Sequence, residues 1–173
     1  MIVRTAPPPD RQRVLRVLIV DDCIDDVRRV RELLHGAGTF VTQTARTPDE
    51  AEGLLRDGSF DVMLVDSGLW GDPGTALAQY LREHRSDVAV VLLTGGENEG
   101  EALPALKLGA HDFFNRSHLD DGQQLIVRIL GAFEENRNLR RRDTMVRWLE
   151  REARTDHLTG LYNRHAFDER LAE

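Results

Sequence analysis

Short apolar runs alternate along the chain with segments whose apolar residues recur every three or four positions. The first run, VLRVLIV at 14–20, predicts a strand. The stretch after it, IDDVRRVRELLHGAG, sets Val27, Val30, Leu33 and Leu34 on one helical face and meets stop signals at Gly36 and Gly38. FVTQTA at 40–45 alternates like a second strand. TPDEAEGLLRDG then opens a second helix, with Thr47 as N-cap, Pro48 at the first helical position and Glu50 three residues after the cap, a capping box. FDVMLVD at 60–66 and DVAVVLLT at 87–94 are nearly continuous apolar runs, as in strands covered on both faces. Between them GTALAQYLREH predicts a third helix. EALPALKLGA predicts a fourth, bent or delayed by Pro104, and DFFN a short fifth strand, with a last helix from about Asp120.

Strands alternating with helices imply an α/β fold, a doubly wound five-stranded parallel sheet whose sites lie beyond the carboxyl ends of the strands. The residues at those ends are Asp21 and Asp22, Asp66, Thr94 and Arg116. A single Asp after a strand is ordinarily a turn former or a helix cap. In the order 2-1-3-4-5, however, strands one and three are neighbours and three carboxylates converge. Such a group repels itself unless protons or a divalent cation compensate. Mg2+ suits the arrangement, because it takes one or two carboxylates, keeps several waters and leaves room for a phosphate oxygen.

Composition narrows the classes. The 173 residues suffice for about one domain plus extensions, and 40% hydrophobic with 31% charged residues suits a soluble globular protein. No apolar run approaches the ~20 residues of a membrane span. A net charge of −7 argues against phosphate-backbone affinity, so neither nucleic acid nor membrane is an expected partner. The N-terminal MIVRTAPPPDRQR lacks a signal-peptide pattern and reads as an extended tail, which points to the cytoplasm. The single cysteine, Cys23, reads as a packing residue in a reducing compartment, and the six histidines show no ligand spacing.

The segments VLIVDD, FDVMLVDSGLWGDPG, VVLLTGG and GAHDFFNRS, in this order and spacing, resemble the receiver domain of two-component response regulators over residues 14 to about 131. The resemblance implies Asp66 as phospho-acceptor, with Asp21 and Asp22 holding Mg2+ together with Asp66 and the Gly68 backbone carbonyl. It implies that Thr94 bonds the phosphoryl group, that Phe113 is the rotating aromatic, and that a sensor histidine kinase or phosphotransfer protein is the partner. Gly95 and Gly96 either keep the pocket open or form a simple tight turn. One position departs: the family has Lys where this chain has Arg116, whose planar fork prefers bidentate contacts.

The last helix, with no Pro and only Gly131 between 125 and 154, overshoots a doubly wound domain. Ala132, Leu139, Val146 and Ala153 repeat every seven residues with Leu149 at the complementary position, while Glu135 and Arg142 put charge in the seam. The expectation is a marginal two-stranded stalk that forms a homodimer or larger assembly, against the blander reading of a solvated charged helix. After it, DHLTGLYNR resembles the opening of the GGDEF diguanylate cyclase domain, carried by Asp156, Leu158, Thr159, Gly160, Leu161, Asn163 and Arg164. The expected organisation is a tail at 1–13, a receiver at 14–131, a helical linker at 132–154 and an incomplete GGDEF domain at 155–173. These residues hold no cyclase signature and are expected to make no cyclic di-GMP themselves. Their expected role is control of a cyclase output in a longer parent. Two alternatives stand beside this: a degenerate cyclase or phosphodiesterase output, and a phosphate-independent pseudo-receiver that serves as a dimerisation scaffold.

Overall fold

The computed structural model describes residues 13–69, 87–95 and 109–154, with side chains through Leu149. Residues 1–12 of the N-terminal tail, the predicted third helix, the predicted fourth helix as far as residue 108, Gly96 and the GGDEF-like residues from 155 onward lie outside the described residues. The chain divides into two compact units, residues 1–136 and 137–173.

In the first unit five parallel strands, β1 (Leu15–Val20), β2 (Phe40–Ala45), β3 (Val62–Asp66), β4 (Ala89–Thr94) and β5 (Asp112–Asn115), form one sheet in the order β2-β1-β3-β4-β5. This is the doubly wound arrangement that the alternating pattern predicts. Three strands begin one or two residues later than their apolar runs. Phe60 and Val88 are buried yet precede the ladders, because hydrophobicity reports burial and not hydrogen-bond pairing.

The period of two sorts the sheet residues onto two faces. Val17, Ile19, Val62, Leu64, Val91, Leu93 and Phe114 pack with Val30 and Leu34 of helix α1 (Ile24–Gly36) and with Leu125, Ile129 and Ala132 of the C-terminal helix α3 (Gly122–Arg154). Leu18, Val20, Met63, Val65, Val90 and Leu92 pack with Ala51 and Leu55 of α2 (Pro48–Asp57) on the other face. Burying both faces explains why β3 and β4 lack polar positions until Asp66 and Thr94.

Local chemistry sets the helix ends. After α1, Gly38 takes a φ of 70°, a left-handed conformation that glycine adopts freely. At α2 the Thr47 hydroxyl accepts the Glu50 backbone N–H at 3.2 Å. The returning Glu50 carboxylate accepts from Arg46 N–H at 2.7 Å, one residue ahead of the predicted box partner. A 3-10 turn, Arg116–His118, precedes α3; it is too short to show a period in sequence. α3 begins where the backbone runs tight against α1, since a Cβ on Gly122 would come within 2.5 Å of Leu33 Cδ2.

Packing within the first unit continues past residue 131. Ala132, read from the heptad pattern as a linker residue, lies in the core, and Asn136 is buried too. In the second unit Leu139, Met145, Val146, Trp148 and Leu149 are each about half exposed on the helix. Among the described residues no helix is long and apolar enough to cross a membrane.

Candidate functional site

The sheet order places the ends of β1 and β3 side by side, with Val20 opposite Val65, and the next residues carry the carboxylates. Asp21, Asp22 and Asp66 each offer an oxygen within 4.8 Å of the others. Asp21 is held in place by its backbone, whose N–H donates to Ala45 O at 3.1 Å, and by its own Oδ1, which accepts the Cys23 N–H at 2.8 Å. Beyond Asp66 the chain turns at once: Ser67 N–H donates to Leu93 O at 3.0 Å and Leu69 N–H to Asp66 O at 3.3 Å. Gly68 sits inside this turn, where a Cβ would press to 3.3 Å from Asp66 Oδ2, so a side chain there would crowd the carboxylate.

Asp21, Asp66 and Thr94 are buried, whereas Asp22 is exposed. Burial raises the Asp21 pKa above its ordinary value; the Cys23 N–H and the Arg116 charge oppose the rise, and Asp66 and Asp26 add to it by like-charge repulsion. Its Oδ2 is buried without a hydrogen-bond partner. A buried carboxylate oxygen without a hydrogen bond, beside two further carboxylates, is a donor set suited to a hard divalent cation, so these residues fit a metal ion of that class.

Arg116, from the turn after β5, supplies positive charge to the cluster. One terminal nitrogen lies 2.9 Å from Asp26 Oδ2 and 3.6 Å from Asp21 Oδ2, and the other pairs with Asp66 Oδ1. Burial alone would lower the Arg116 pKa; the hydrogen bond to Asp26 and the charges of Asp66, Asp21 and Asp26 outweigh it and raise the value. Gly95 lies beside the guanidinium, with its Cβ position 3.7 Å from the nearest terminal nitrogen.

Thr94 stands at the end of β4, its hydroxyl donating to the Phe114 carbonyl at 3.5 Å. Phe113, one residue earlier on β5, faces the opposite side of the sheet from Phe114 and is half-buried against the second core. Sequence reasoning missed Asp26. The signal was present, as four of the six residues from 21 to 26 are Asp, but acids in a first helical turn ordinarily complement the helix dipole. The predicted stalk residues Leu139, Val146 and Leu149 belong to the second unit, as does Ala153, whose side chain is outside the described set.

Comparison with known proteins agrees with this geometry. The response regulator PilR of Pseudomonas aeruginosa is 35% identical over 101 residues, covering 58% of this chain and 22% of PilR. The aerobic respiration control protein ArcA of Escherichia coli K12 is 27% identical over 123 residues, 71% of this chain and 50% of ArcA. The chain thus spans half or less of the length of these two relatives. Among solved structures, the beryllofluoride-activated NtrC4 receiver domain dimer matches with a TM-score of 0.60 and 28% identity, covering 70% of this chain and 98% of that one. The family model for the response regulator receiver domain matches residues 17–129, well over half of the sequence, and the chain belongs to that family.

Proposed function

We propose that the chain accepts a phosphoryl group on Asp66 with Mg2+ at Asp21, Asp22, Asp66 and the Gly68 carbonyl, and passes the resulting change to an output domain. The observation that carries this reading is the convergence of three carboxylates within 4.8 Å at the ends of β1 and β3, with Thr94 and Arg116 on the neighbouring strand ends. An Asp66 carboxylate oxygen attacks phosphorus; the bond from phosphorus to the donor breaks, the donor keeps the electron pair, and an acyl phosphate forms. Mg2+, when bound, neutralises charge on the transferring phosphoryl group. Thr94 is positioned to give its hydroxyl to a phosphoryl oxygen on giving up the Phe114 carbonyl, and Phe113 follows the shift of β5 as the switch aromatic. The donor is a sensor histidine kinase or phosphotransfer protein, and the compartment is the cytoplasm.

The reading extends to the second unit. Half-exposed Leu139, Val146 and Leu149 support self-association through the helix, and the NtrC4 receiver, a similar fold, was solved as an activated dimer. The GGDEF-like residues Asp156 to Arg164 support a cyclic di-GMP output controlled by this receiver.

Incubation with acetyl phosphate, followed by intact-mass spectrometry, tests the site: one phosphate equivalent with Mg2+ and none in EDTA is expected. Equal labelling in EDTA, or none in either condition, refutes the phospho-acceptor reading; the second outcome favours a pseudo-receiver whose cluster is permanently neutralised by Arg116. Ultracentrifugation with and without beryllofluoride, repeated on Leu139→Lys plus Val146→Lys, tests the helix. A beryllofluoride-dependent mass that the double variant loses is expected, and an identical mass in all four samples overturns the association.

A further inference from the structure

The acid cluster already holds a cation of its own. The Arg116 fork reaches Asp66 with one terminal nitrogen and Asp26 and Asp21 with the other. We infer that Asp26 is a positioning residue for Arg116, and that the Asp26–Arg116 pair makes the guanidinium an internal competitor of the divalent cation for Asp21 and Asp66. The inference rests on the reading that a divalent cation binds at these carboxylates.

The geometry separates the roles of the acids. Asp21, Asp22 and Asp66 form the group whose oxygens lie close enough to share one ion, and Asp26 is outside that group. Asp26 instead accepts the shorter of the two contacts made by one Arg116 nitrogen, 2.9 Å against 3.6 Å to Asp21. That contact fixes one prong of a planar fork, and the other prong then falls on Asp66. A lysine ammonium carries its three donors on one nitrogen and so lacks the two separated nitrogens with which the fork spans Asp26 and Asp66.

Competition follows from electrostatics. A guanidinium and a divalent ion both relieve the mutual repulsion of the carboxylates, and each repels the other, so one weakens the binding of the other. The arginine arrangement is also incompletely satisfied. Arg116 Nε and Asp21 Oδ2 are both buried without hydrogen-bond partners, which favours exchange over a locked ion pair.

The test is isothermal titration of Mg2+ into the 173-residue chain, with Mn2+ binding followed by electron paramagnetic resonance as a second readout. Arg116→Met is expected to bind Mg2+ about tenfold more tightly than the unaltered protein, the low end of what one opposing charge at this range does. Arg116→Lys is expected to fall between the two. Asp26→Asn should tighten binding in the unaltered background by releasing the arginine. In the Arg116→Met background it should leave binding unchanged or weaken it, because only the lost negative charge remains to be felt. The two effects of Asp26→Asn should differ by at least about threefold, a coupling that a purely structural or purely electrostatic Asp26 does not produce.

Equal or weaker Mg2+ binding by Arg116→Met, or an Asp26→Asn effect that is the same in both backgrounds, overturns the inference. If Arg116→Met does not fold, as judged by circular dichroism, Arg116→Lys decides: an affinity within a factor of two of the unaltered protein refutes the competition. Asp66→Asn separates the two levels of argument. If it binds Mg2+ like the unaltered protein, the metal reading itself fails; if it loses binding while Arg116→Met shows no gain, only the competition fails.

Discussion

The two ends of the sheet treat polar groups in opposite ways. At the amino end Asp61 ties three strands: its carboxylate accepts the Arg16 N–H at 2.9 Å and the Arg13 guanidinium at 2.5 Å, and its carbonyl accepts the Ala89 N–H at 3.0 Å. Nearby, His111 Nδ1 accepts the Val90 N–H at 3.0 Å while the His111 N–H donates to Val90 O at 2.9 Å, and its ring also bonds the buried Asn136 side chain. The Arg16, Ala89 and Val90 N–H groups and the Val90 carbonyl are thereby satisfied within the fold. At the carboxyl end the buried Asp21 and the partly buried Arg116 each keep an atom without a hydrogen bond, and carboxylates stand together with one guanidinium among them. Polar groups that knit the fold are satisfied inside it, whereas a cluster left short of hydrogen bonds is suited to a ligand.

The sharpest break between the ends concerns phosphorylation. Asp66→Asn should take phosphate incorporation from one equivalent to none by intact mass, whereas Asp61→Ala should leave it unchanged, although both positions border the same strand. Labelling of Asp66→Asn would erase the functional distinction.

Stability should show the reverse. Asp61→Ala strands the Arg16 N–H and removes a strand tie, so it should cost about 2 kcal/mol in urea unfolding. Asp21→Asn replaces a carboxylate that burial disfavours and still accepts the Cys23 N–H, so without metal it should stabilise the protein by about 1 kcal/mol. Equal losses at both positions would mean that the acid cluster is structural, like its counterpart.

The smallest effect is a pH dependence at the amino end. Burial lowers the His111 pKa below 6.5, although the Glu135 charge and the Asn136 bond oppose it. The unfolded histidine takes a proton as pH falls through 6.5 while the folded one resists. Its contribution is therefore present above that pH and lost as pH falls from there towards the depressed folded value. His111→Asn keeps an acceptor for the Val90 N–H and should flatten the fall in stability below pH 6.5 by less than about 1 kcal/mol. A profile parallel to that of the unaltered protein would refute the His111 contribution.

Much of this was legible in sequence because burial leaves a periodic trace. The uninterrupted runs of β3 and β4 announced a sheet covered on both faces, and Asp21, Asp22, Asp66, Thr94 and Arg116 stood out as the polar residues that end the strands. The burial of Ala132 and Asn136 was not legible, because as a letter Ala132 fits a heptad position and a domain core equally well and only packing distinguishes them. Asp26 and His111 were passed over for a related reason. Each meets its partner across the fold, Arg116 being 90 residues from Asp26 and Val90 21 residues from His111.

By itself, then, the sequence determined which of the described segments become strands and helices, the order in which the strands wind, and which carboxylates reach one edge. All of these follow from local period and from the rule that a parallel sheet binds at its carboxyl ends. Only the tertiary structure decided that the Arg116 fork lies among those carboxylates with Asp26 as its anchor, and that the polar groups at the opposite end are closed off by the sheet. Such pairings depend on distances between residues far apart in the chain, and a one-dimensional pattern of polar and apolar positions carries no distances.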